Sequence, residues 1–246
     1  LLLPAREGDL GFDRKLTFQP SRLRWCARAT IETLRIVLPM AFIIATGYLM
    51  VHATIPFAED EAWLELASSL ALAGCLYGLA SFLLVWTLKW CLIGRYRPTA
   101  QPMWSLFVWT SEAVTSVYES LAVPNFLDFL RGTPLLPWAL RSLGARIGRR
   151  TFLDTTDLTE FDCVSIGDEA ELNVNCGPQT HLFEDRVMKI GAVRLGARVS
   201  VGPASTILYD TEVGADVRLG PLTLVAKGER LPAGTDWTGS PASPAR

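Results

Sequence analysis

The amino-acid sequence predicts membrane helices plus an all-β part: two transmembrane α-helices followed by a left-handed parallel β-helix. Two observations predict this fold class. Apolar residues are spread unevenly in a chain of 246 residues that is 50% hydrophobic, and they form two long uncharged runs before Arg95. Further along, an aliphatic residue recurs at every sixth position, which is the hexapeptide repeat of a β-solenoid.

The uncharged runs are Ile36–Ile55 and Leu66–Leu88. Each is long enough to cross the roughly 30 Å of bilayer hydrocarbon as a helix, and longer than most helices of a soluble core. Basic residues flank the pair on its outer sides, whereas the connecting loop carries acidic residues and no Lys or Arg. By the positive-inside rule, both termini and the β-helix are cytoplasmic. We therefore expect a multi-pass protein of the bacterial inner (plasma) membrane, with the lipid bilayer as a partner.

The segment after the second run predicts two connecting helices. Met103–Leu121 is amphipathic, with Glu112 and Glu119 on its polar face, and Pro124 is expected to end it. Leu135–Leu143 predicts a short second helix. The chain starts with Leu and not Met, which we interpret as a fragment of a longer protein. The predicted regions are a basic cytoplasmic lead-in (1–35), a transmembrane hairpin (36–93), connecting helices (94–143) and the β-helix (144–246).

The repeat itself is regular over seven aliphatic anchors, four of them followed at once by glycine. Each hexad should form one flat face of a triangular coil, with its anchor inside and glycine easing the corner. A looser set precedes it around Ile147, Leu153, Ile166 and Leu172, and Asn173–Lys189 interrupts the period. An insertion in a solenoid maps to a loop on one face, commonly the binding face. The anchors are Leu195, Val201, Ile207, Val213, Leu219, Val225 and Leu231.

The interruption holds the only histidine of the β-helical part, His181. Acyl transfer needs a base that titrates near neutral pH, so His181 is the candidate base and Glu184 or Asp185 its orienting carboxylate. The amides of Asn173, Asn175 or Gln179 are candidate donors to a developing oxyanion. The alternative is a surface loop with a solvated histidine.

A second polar cluster, Asp154–Asp162, lies one or two coils earlier, and a solenoid brings such a segment near the interruption. Its acids, among them Asp157 and Glu160, are candidates for binding the ammonium group of an amino-acid substrate. Solvated turn residues would give the same pattern.

Composition excludes several function classes. A net charge of −2, without a basic aromatic-rich patch, argues against nucleic acid as a partner. Five cysteines without C-x-x-C spacing indicate reduced thiols. Two histidines, one of them in the membrane half, do not make a three-histidine metal site. The sequence has no Walker, dinucleotide-binding or G-x-S-x-G motif, so we expect this chain to bind no metal and no cofactor of its own.

The second half of the chain resembles the terminal region of the ε-poly-lysine synthetase family, which comprises membrane-bound nonribosomal peptide synthetases. The resemblance covers most of the chain from Leu130 onward, and the paired spans fit it too. The stretches that carry it are Leu130–Trp138 (LRGTPLLPW), Gly144–Arg150 (GARIGRR), Asp154–Asp162 (DTTDLTEFD), Gln179–Lys189 (QTHLFEDRVMK), Val201–Gly202, Leu208–Glu212 (LYDTE), Lys227–Glu229 (KGE) and Trp237–Ala242 (WTGSPA).

The resemblance implies one helix-pair-plus-β-helix unit of a larger enzyme. Adenylation and carrier domains of the same protein would be partners, and sister β-helical units would form a trimer or pseudo-trimer. The donor would be an aminoacyl thioester carried on phosphopantetheine. Neither adenylation nor carrier motifs occur in this sequence, so this unit would join amino acids activated elsewhere. Two alternatives remain: a non-catalytic trimer-forming scaffold, or an acetyl-CoA-dependent O- or N-acetyltransferase of envelope sugars.

Overall fold

A computed structural model describes residues 12–245 of the chain. After a short helix α1 (Arg14–Thr17), the chain forms two long helices, α2 (Arg22–Glu59) and α3 (Trp63–Leu88). The hydroxyl of Ser21 accepts a hydrogen bond from the Arg24 N–H and caps the start of α2. Both long helices contain the uncharged runs expected from the sequence, and by length and composition both are able to cross a membrane. Large apolar side chains cover much of their free surface.

The connecting segment is helical but more irregular than expected. Helix α3 continues in wide π-helical turns over Lys89–Ile93, and helix α4 (Leu106–Val117) passes into a π-helical stretch, Tyr118–Leu127. Pro124 lies inside that stretch, so the expectation that it ends the helix is wrong. The wide turns accommodate the proline, and the Asn125 side chain donates to the carbonyl of Leu121 at 2.8 Å. A 3₁₀ turn (Asp128–Leu130) and helix α5 (Leu135–Ser142) follow, and α5 confirms the predicted second helix.

The rest of the chain is built from short strands. In chain order they are β1 (Thr99–Pro102), β2 (Arg146–Ile147), β3 (Phe152–Leu153), β4 (Val164–Ile166), β5 (Glu171–Leu172), β6 (Gly177–Gln179), β7 (His181–Glu184), β8 (Val187–Ile190), β9 (Val193–Leu195), β10 (Ser200–Val201), β11 (Thr206–Leu208), β12 (Thr211–Val213), β13 (Arg218–Leu219), β14 (Leu224–Val225), β15 (Arg230–Leu231), β16 (Asp236–Thr238) and β17 (Ser243–Pro244).

The strands from β2 to β16, apart from β7 and β8, coil into three parallel sheets. Strands β10, β11 and β12 belong to three different sheets, and β13, β14 and β15 return to those sheets in the same order. Each pairs in parallel with the strand one coil earlier, and Val201 aligns with Leu219. One coil therefore takes three hexads, and the hexapeptide repeat is confirmed. All seven anchors are at most 4% exposed, so together they form the core of the coil.

The glycines of the repeat have a different purpose from the one expected. A Cβ on Gly196 would lie 2.6 Å from the backbone nitrogen of Ala215 in the next coil, so close approach of the coils requires glycine there. The corners that need positive φ are occupied by other residues, such as Arg198 (φ 57°) and Asp216 (φ 59°). Stacking between coils, and not the corner, explains the glycines.

Only the second part of the predicted interruption, Asn173–Lys189, leaves the coil, as a β-hairpin, because β6 pairs in parallel with β11 and so belongs to the coil. Strands β7 and β8 are antiparallel, and Asp185 and Arg186 join them with φ values of 50° and 59°. Two consecutive positive φ angles are typical of the tight turns that match the twist of a hairpin. Strand β8 also pairs with β1, so the hairpin is tied to the segment that follows the second long helix.

Candidate active site

The hairpin and the connecting helix enclose a cleft of about 260 Å³. Strand β7 forms one wall, and α4 with the start of the π-helical stretch forms the other. The first long helix closes one end with Arg35, the last charged residue before its uncharged run. The cleft is lined by Arg35, Glu112, Thr115, Ser116, Glu119, His181, Phe183 and Met188.

His181 lies in this cleft and is held by a buried carboxylate. Its Nδ1 is 2.8 Å from Oε2 of Glu160, a residue that is only 1% exposed. An ionised carboxylate can only accept hydrogen bonds, so Nδ1 carries the proton and donates it. The other ring nitrogen, Nε2, is thereby left with its lone pair free to act as a base.

Two threonine hydroxyls also donate to Oε2 of the Glu160 carboxylate, whose other oxygen is buried without a hydrogen-bond partner among the described residues. Thr180, which directly precedes His181, donates to Oε2 at 2.6 Å, and Thr159 donates to the same oxygen at 2.8 Å. Burial alone would raise the pKa of Glu160, but the hydrogen bond and charge of His181, with both threonines, outweigh burial and hold the pKa below its ordinary value. Glu160 is therefore an anion at neutral pH.

The same contact shifts the titration of the histidine. Burial alone would lower the pKa of His181, but the hydrogen bond and negative charge of Glu160 raise it above the ordinary value, with smaller contributions from Glu112 and Glu119. A histidine with a raised pKa is a stronger base once it has lost its proton.

Three more carboxylates surround the cleft. Burial raises the pKa of both Glu112 and Glu119. Glu112 has Arg28 at 3.9 Å, whereas Glu119 has no basic partner within salt-bridge distance among residues 12–245. Glu119 also lines an adjoining cavity of about 200 Å³ that contains Asp157, and burial raises the pKa of Asp157 as well. A cation that binds beside a buried carboxylate stabilises its ionised form, because the charge is then paired.

The structure corrects the expected orienting residue. Glu184 does not contact His181, because its carboxylate is held by Lys189 at 2.9 Å and by Lys227 at 2.6 Å. Asp185 is exposed at the tip of the hairpin. The carboxylate that orients the histidine is Glu160, which the sequence had indicated only as a candidate for substrate binding.

The expected amide donors lie outside the cleft. Asn173 donates from its side chain to the carbonyl of Val201 at 2.9 Å, so it links two coils. Gln179 donates to the backbone carbonyl of His181 at 3.1 Å and supports the strand. Asn175 occupies an exposed turn with φ of 54°, a conformation that asparagine tolerates.

Sequence reasoning missed several side chains that line the cleft or contact the Glu160 carboxylate. Arg35, Thr115 and Ser116 come from helices, far in the chain from the hairpin. Thr159 and Thr180 are adjacent in sequence to the two partners of the ion pair, but threonine beside a charged residue is too common to be a signal. Glu112 and Glu119 had one signal, their shared helical face.

A histidine–carboxylate pair in a cleft on a hexapeptide-repeat coil is typical of acyltransferases. These features define a class of enzyme and do not single out one member of it. Comparison with known proteins is more specific. No family model matches the chain, but a poly-amino-acid synthetase contains a closely similar segment. The relative is the delta-poly-L-ornithine synthetase of Acinetobacter baumannii (strain AB307-0294), 56% identical over 244 residues.

That alignment covers 99% of this chain and 18% of the relative, so the chain spans less than a fifth of the length of that synthetase. The resemblance to poly-amino-acid synthetases expected from the sequence is confirmed. Among solved structures, a hexapeptide-repeat acetyltransferase from Vibrio cholerae matches with 16% identity and a TM-score of 0.39, covering 49% of this chain and 85% of that one. A galactoside acetyltransferase in complex with coenzyme A matches with 14% identity and a TM-score of 0.39, covering 49% and 74%.

Proposed function

We propose that the chain is a membrane-anchored acyltransferase module of a nonribosomal peptide synthetase, which forms amide bonds between amino acids delivered as carrier thioesters. The observation that carries the proposal is the pairing of His181, which lines the cleft, with the buried carboxylate of Glu160 through Nδ1, which leaves Nε2 as the candidate base. The 56% identity to a segment of a poly-amino-acid synthetase supports the amide product. The donor would be an aminoacyl group on phosphopantetheine, supplied by adenylation and carrier domains of the same larger protein.

The chemical step needs one base and one set of donors. The neutral amine of the acceptor attacks the thioester carbonyl carbon, and Nε2 of His181 takes the proton that the nitrogen loses. The carbon–sulfur bond then breaks, and the imidazolium returns its proton to the departing thiolate. Glu160 keeps the ring in the correct tautomer and stabilises the imidazolium while the proton is held. Thr115 and Ser116, whose side chains line the cleft, are the neutral donors available to the oxyanion.

The acids around the cleft indicate the acceptor class. Glu112, Glu119 and Asp157 would hold an ammonium group while a second amine of the same substrate is the nucleophile. Ornithine, the unit in the relative's printed name, carries two amino groups, so a diamino acid satisfies both requirements. Asp157, expected from the sequence to bind ammonium, keeps that role in this proposal.

The proposal extends to architecture. Helices α2 and α3 would cross the inner membrane with both termini cytoplasmic, and the parallel coil would be left-handed, as hexapeptide-repeat coils are. Sister units of the same parent protein would assemble with this one as a trimer or pseudo-trimer.

The first test measures single-turnover amide formation by the intact parent synthetase, which contains this chain, in detergent. Carrier-bound ornithyl thioester and acetyl-CoA are offered as separate donors to a diamino-acid acceptor. His181→Ala should lower aminoacyl transfer by about 10²–10⁴-fold, the usual contribution of a general base. His52→Ala, which removes the other histidine far from the cleft, is the matched control and should leave the rate unchanged.

Each other outcome supports a named alternative. Undiminished transfer in His181→Ala would make this unit a scaffold for its sister units. Transfer from acetyl-CoA, but not from the carrier thioester, would favour an acetyltransferase.

A further inference from the structure

The segment that connects the helices to the coil lies along the C-terminal half of α3, the half that is cytoplasmic in the proposed topology. The backbone oxygen of Asn125 lies so close to Gly78 that no side chain would fit there. The rings of Phe82 and Phe126 have their centroids 5.2 Å apart. These contacts join the end of the π-helical stretch to the middle of the long helix.

Further towards the cytoplasmic end of α3, two tryptophans make the next contacts. The indole N–H groups of Trp86 and Trp90 both donate to the backbone carbonyl of Ser142, each at 3.1 Å. Ser142 is the last residue of α5. The stretch from Pro124 to Ser142 is therefore attached to α3 at both of its ends.

The uncharged run of α3 sets the depth of these contacts. Gly78, Phe82 and Trp86 all belong to Leu66–Leu88, and the first charge after the run is Lys89. At 1.5 Å per residue, Gly78 lies about 15 Å from the end of the run, which is half the thickness of the hydrocarbon. The attached stretch therefore extends from mid-bilayer depth to the boundary.

The free surface of this stretch is apolar. Phe129 is 77% exposed, Leu135 55% and Trp138 69%, and Pro124 is exposed as well. Large apolar side chains exposed together within one short stretch indicate a contact surface. Tryptophan in particular is enriched where hydrocarbon meets the head groups.

The charges of the same stretch have partners within the protein. Arg131 donates to the backbone oxygen of Asp154 at 2.7 Å and to its carboxylate at 3.2 Å. Asp128 accepts from the hydroxyl of Thr156 at 3.2 Å. Arg141 donates to the carbonyl of Ile147 at 2.8 Å. All of these partners lie on the first coil, so the charged groups are engaged by the coil.

We infer that Pro124–Ser142 is embedded in the cytoplasmic leaflet, with Phe129, Leu135 and Trp138 in contact with lipid. This inference rests on the proposed membrane insertion of α2 and α3. An embedded stretch would attach the coil to the bilayer at a second place, in addition to helices α2 and α3. The cleft, which Arg35 lines just before the uncharged run of α2, then lies at the membrane surface.

Spin-label accessibility in nanodiscs of phosphatidylcholine and phosphatidylglycerol tests the inference on the full chain. The exposed cysteines Cys26, Cys75 and Cys91 are replaced by serine, and the buried Cys163 and Cys176 are retained. Labels are then placed one at a time with F129C, L135C and W138C. Two matched controls use exposed leucines, L72C on α3 and L222C on the coil, which are 61% and 71% exposed.

Collision rates with oxygen, which concentrates in lipid, and with a water-soluble nickel complex give a depth for each label. We expect F129C, L135C and W138C to favour oxygen, as L72C does, and L222C to favour nickel. If the three labels favour nickel while L72C favours oxygen, the inference is overturned and membrane insertion stands. If L72C favours nickel too, the membrane proposal itself fails. Low collision with both reagents at the three sites would put protein, not lipid, against this surface.

Discussion

The regular coils between Val193 and Leu231 and the cleft beside the β7–β8 hairpin differ in where they place charged residues. In the regular coils, charges point outward and pair on the surface, as Arg198 does with Asp216 at 2.6 Å. Beside the hairpin, the Glu160 carboxylate is buried and accepts hydrogen bonds from His181 and from two threonines. In our proposal the regular coils supply stability and the cleft beside the hairpin supplies the chemistry.

The largest effect should come from a cavity in a regular coil. Leu219 is 3% exposed and aligns with Val201 in the neighbouring coil. Leu219→Ala should lower the free energy of unfolding by about 2–5 kcal/mol, because lost burial is added to the cost of the cavity. Denaturant unfolding measures this, and single turnover well below the midpoint should keep its rate. If Leu219→Ala lowers the single-turnover rate and leaves stability unchanged, the regular coils contribute to the chemistry and the proposed division between the two regions is wrong.

Removal of a charge from the cleft should change substrate binding without a loss of stability, the reverse of the effect expected for Leu219→Ala. Glu119→Gln should raise KM for a cationic acceptor about tenfold, the value of one charge-assisted hydrogen bond. It should not lower the unfolding midpoint, because burial raises the pKa of Glu119 and the ionised carboxylate therefore adds no stability at neutral pH. The difference between the two proteins should shrink as salt is added. Glu171→Gln, on the outer surface of the coil, is the matched control. An unchanged KM at low salt would remove Glu119 from the substrate site.

The smallest effect is expected at the surface ion pair of the regular coils. Arg198 and Asp216 are about half exposed, with side chains 55% and 49% accessible. Exposed pairs gain little because water and salt screen them. Arg198→Ala, Asp216→Asn and the double variant should all unfold at the wild-type midpoint within error; asparagine is used because it tolerates the positive φ of position 216. A coupling well above that error would make the pair part of the fold's stability.

Elements that follow from a repeating pattern could be predicted from the sequence. Contacts between residues far apart in the chain could not. The seven anchors and the hairpin's place in the chain follow from the period, because each hexad has to bury its own aliphatic residue. The two long helices follow from uncharged length. The partner of His181 did not follow, since Glu160 lies 21 positions earlier and reaches it only through the coil. Glu184 was nearer in sequence, but two lysines hold its carboxylate.

The irregular helix was beyond pattern reasoning for a related reason. Proline usually ends an α-helix, yet the π-helical turns around Pro124 are stabilised by packing on α3 and by the Asn125 side chain. The cleft forms only where this helix, the hairpin and α2 meet, so no single segment of the sequence contains it.

The most direct test of the central claim, that Glu160 sets the basicity of His181, is the pH dependence of single turnover. Only neutral His181 accepts a proton, and Glu160 raises its pKa. The acid limb of the wild-type rate should therefore have its midpoint above the ordinary histidine value of about 6.5. Glu160→Gln removes the negative charge that raises the pKa of His181. Burial, which lowers that pKa, remains, so the midpoint of the acid limb should move to lower pH. Glu184→Gln is the control and should leave the midpoint in place. A wild-type midpoint unchanged by Glu160→Gln, or moved only by Glu184→Gln, would contradict the account.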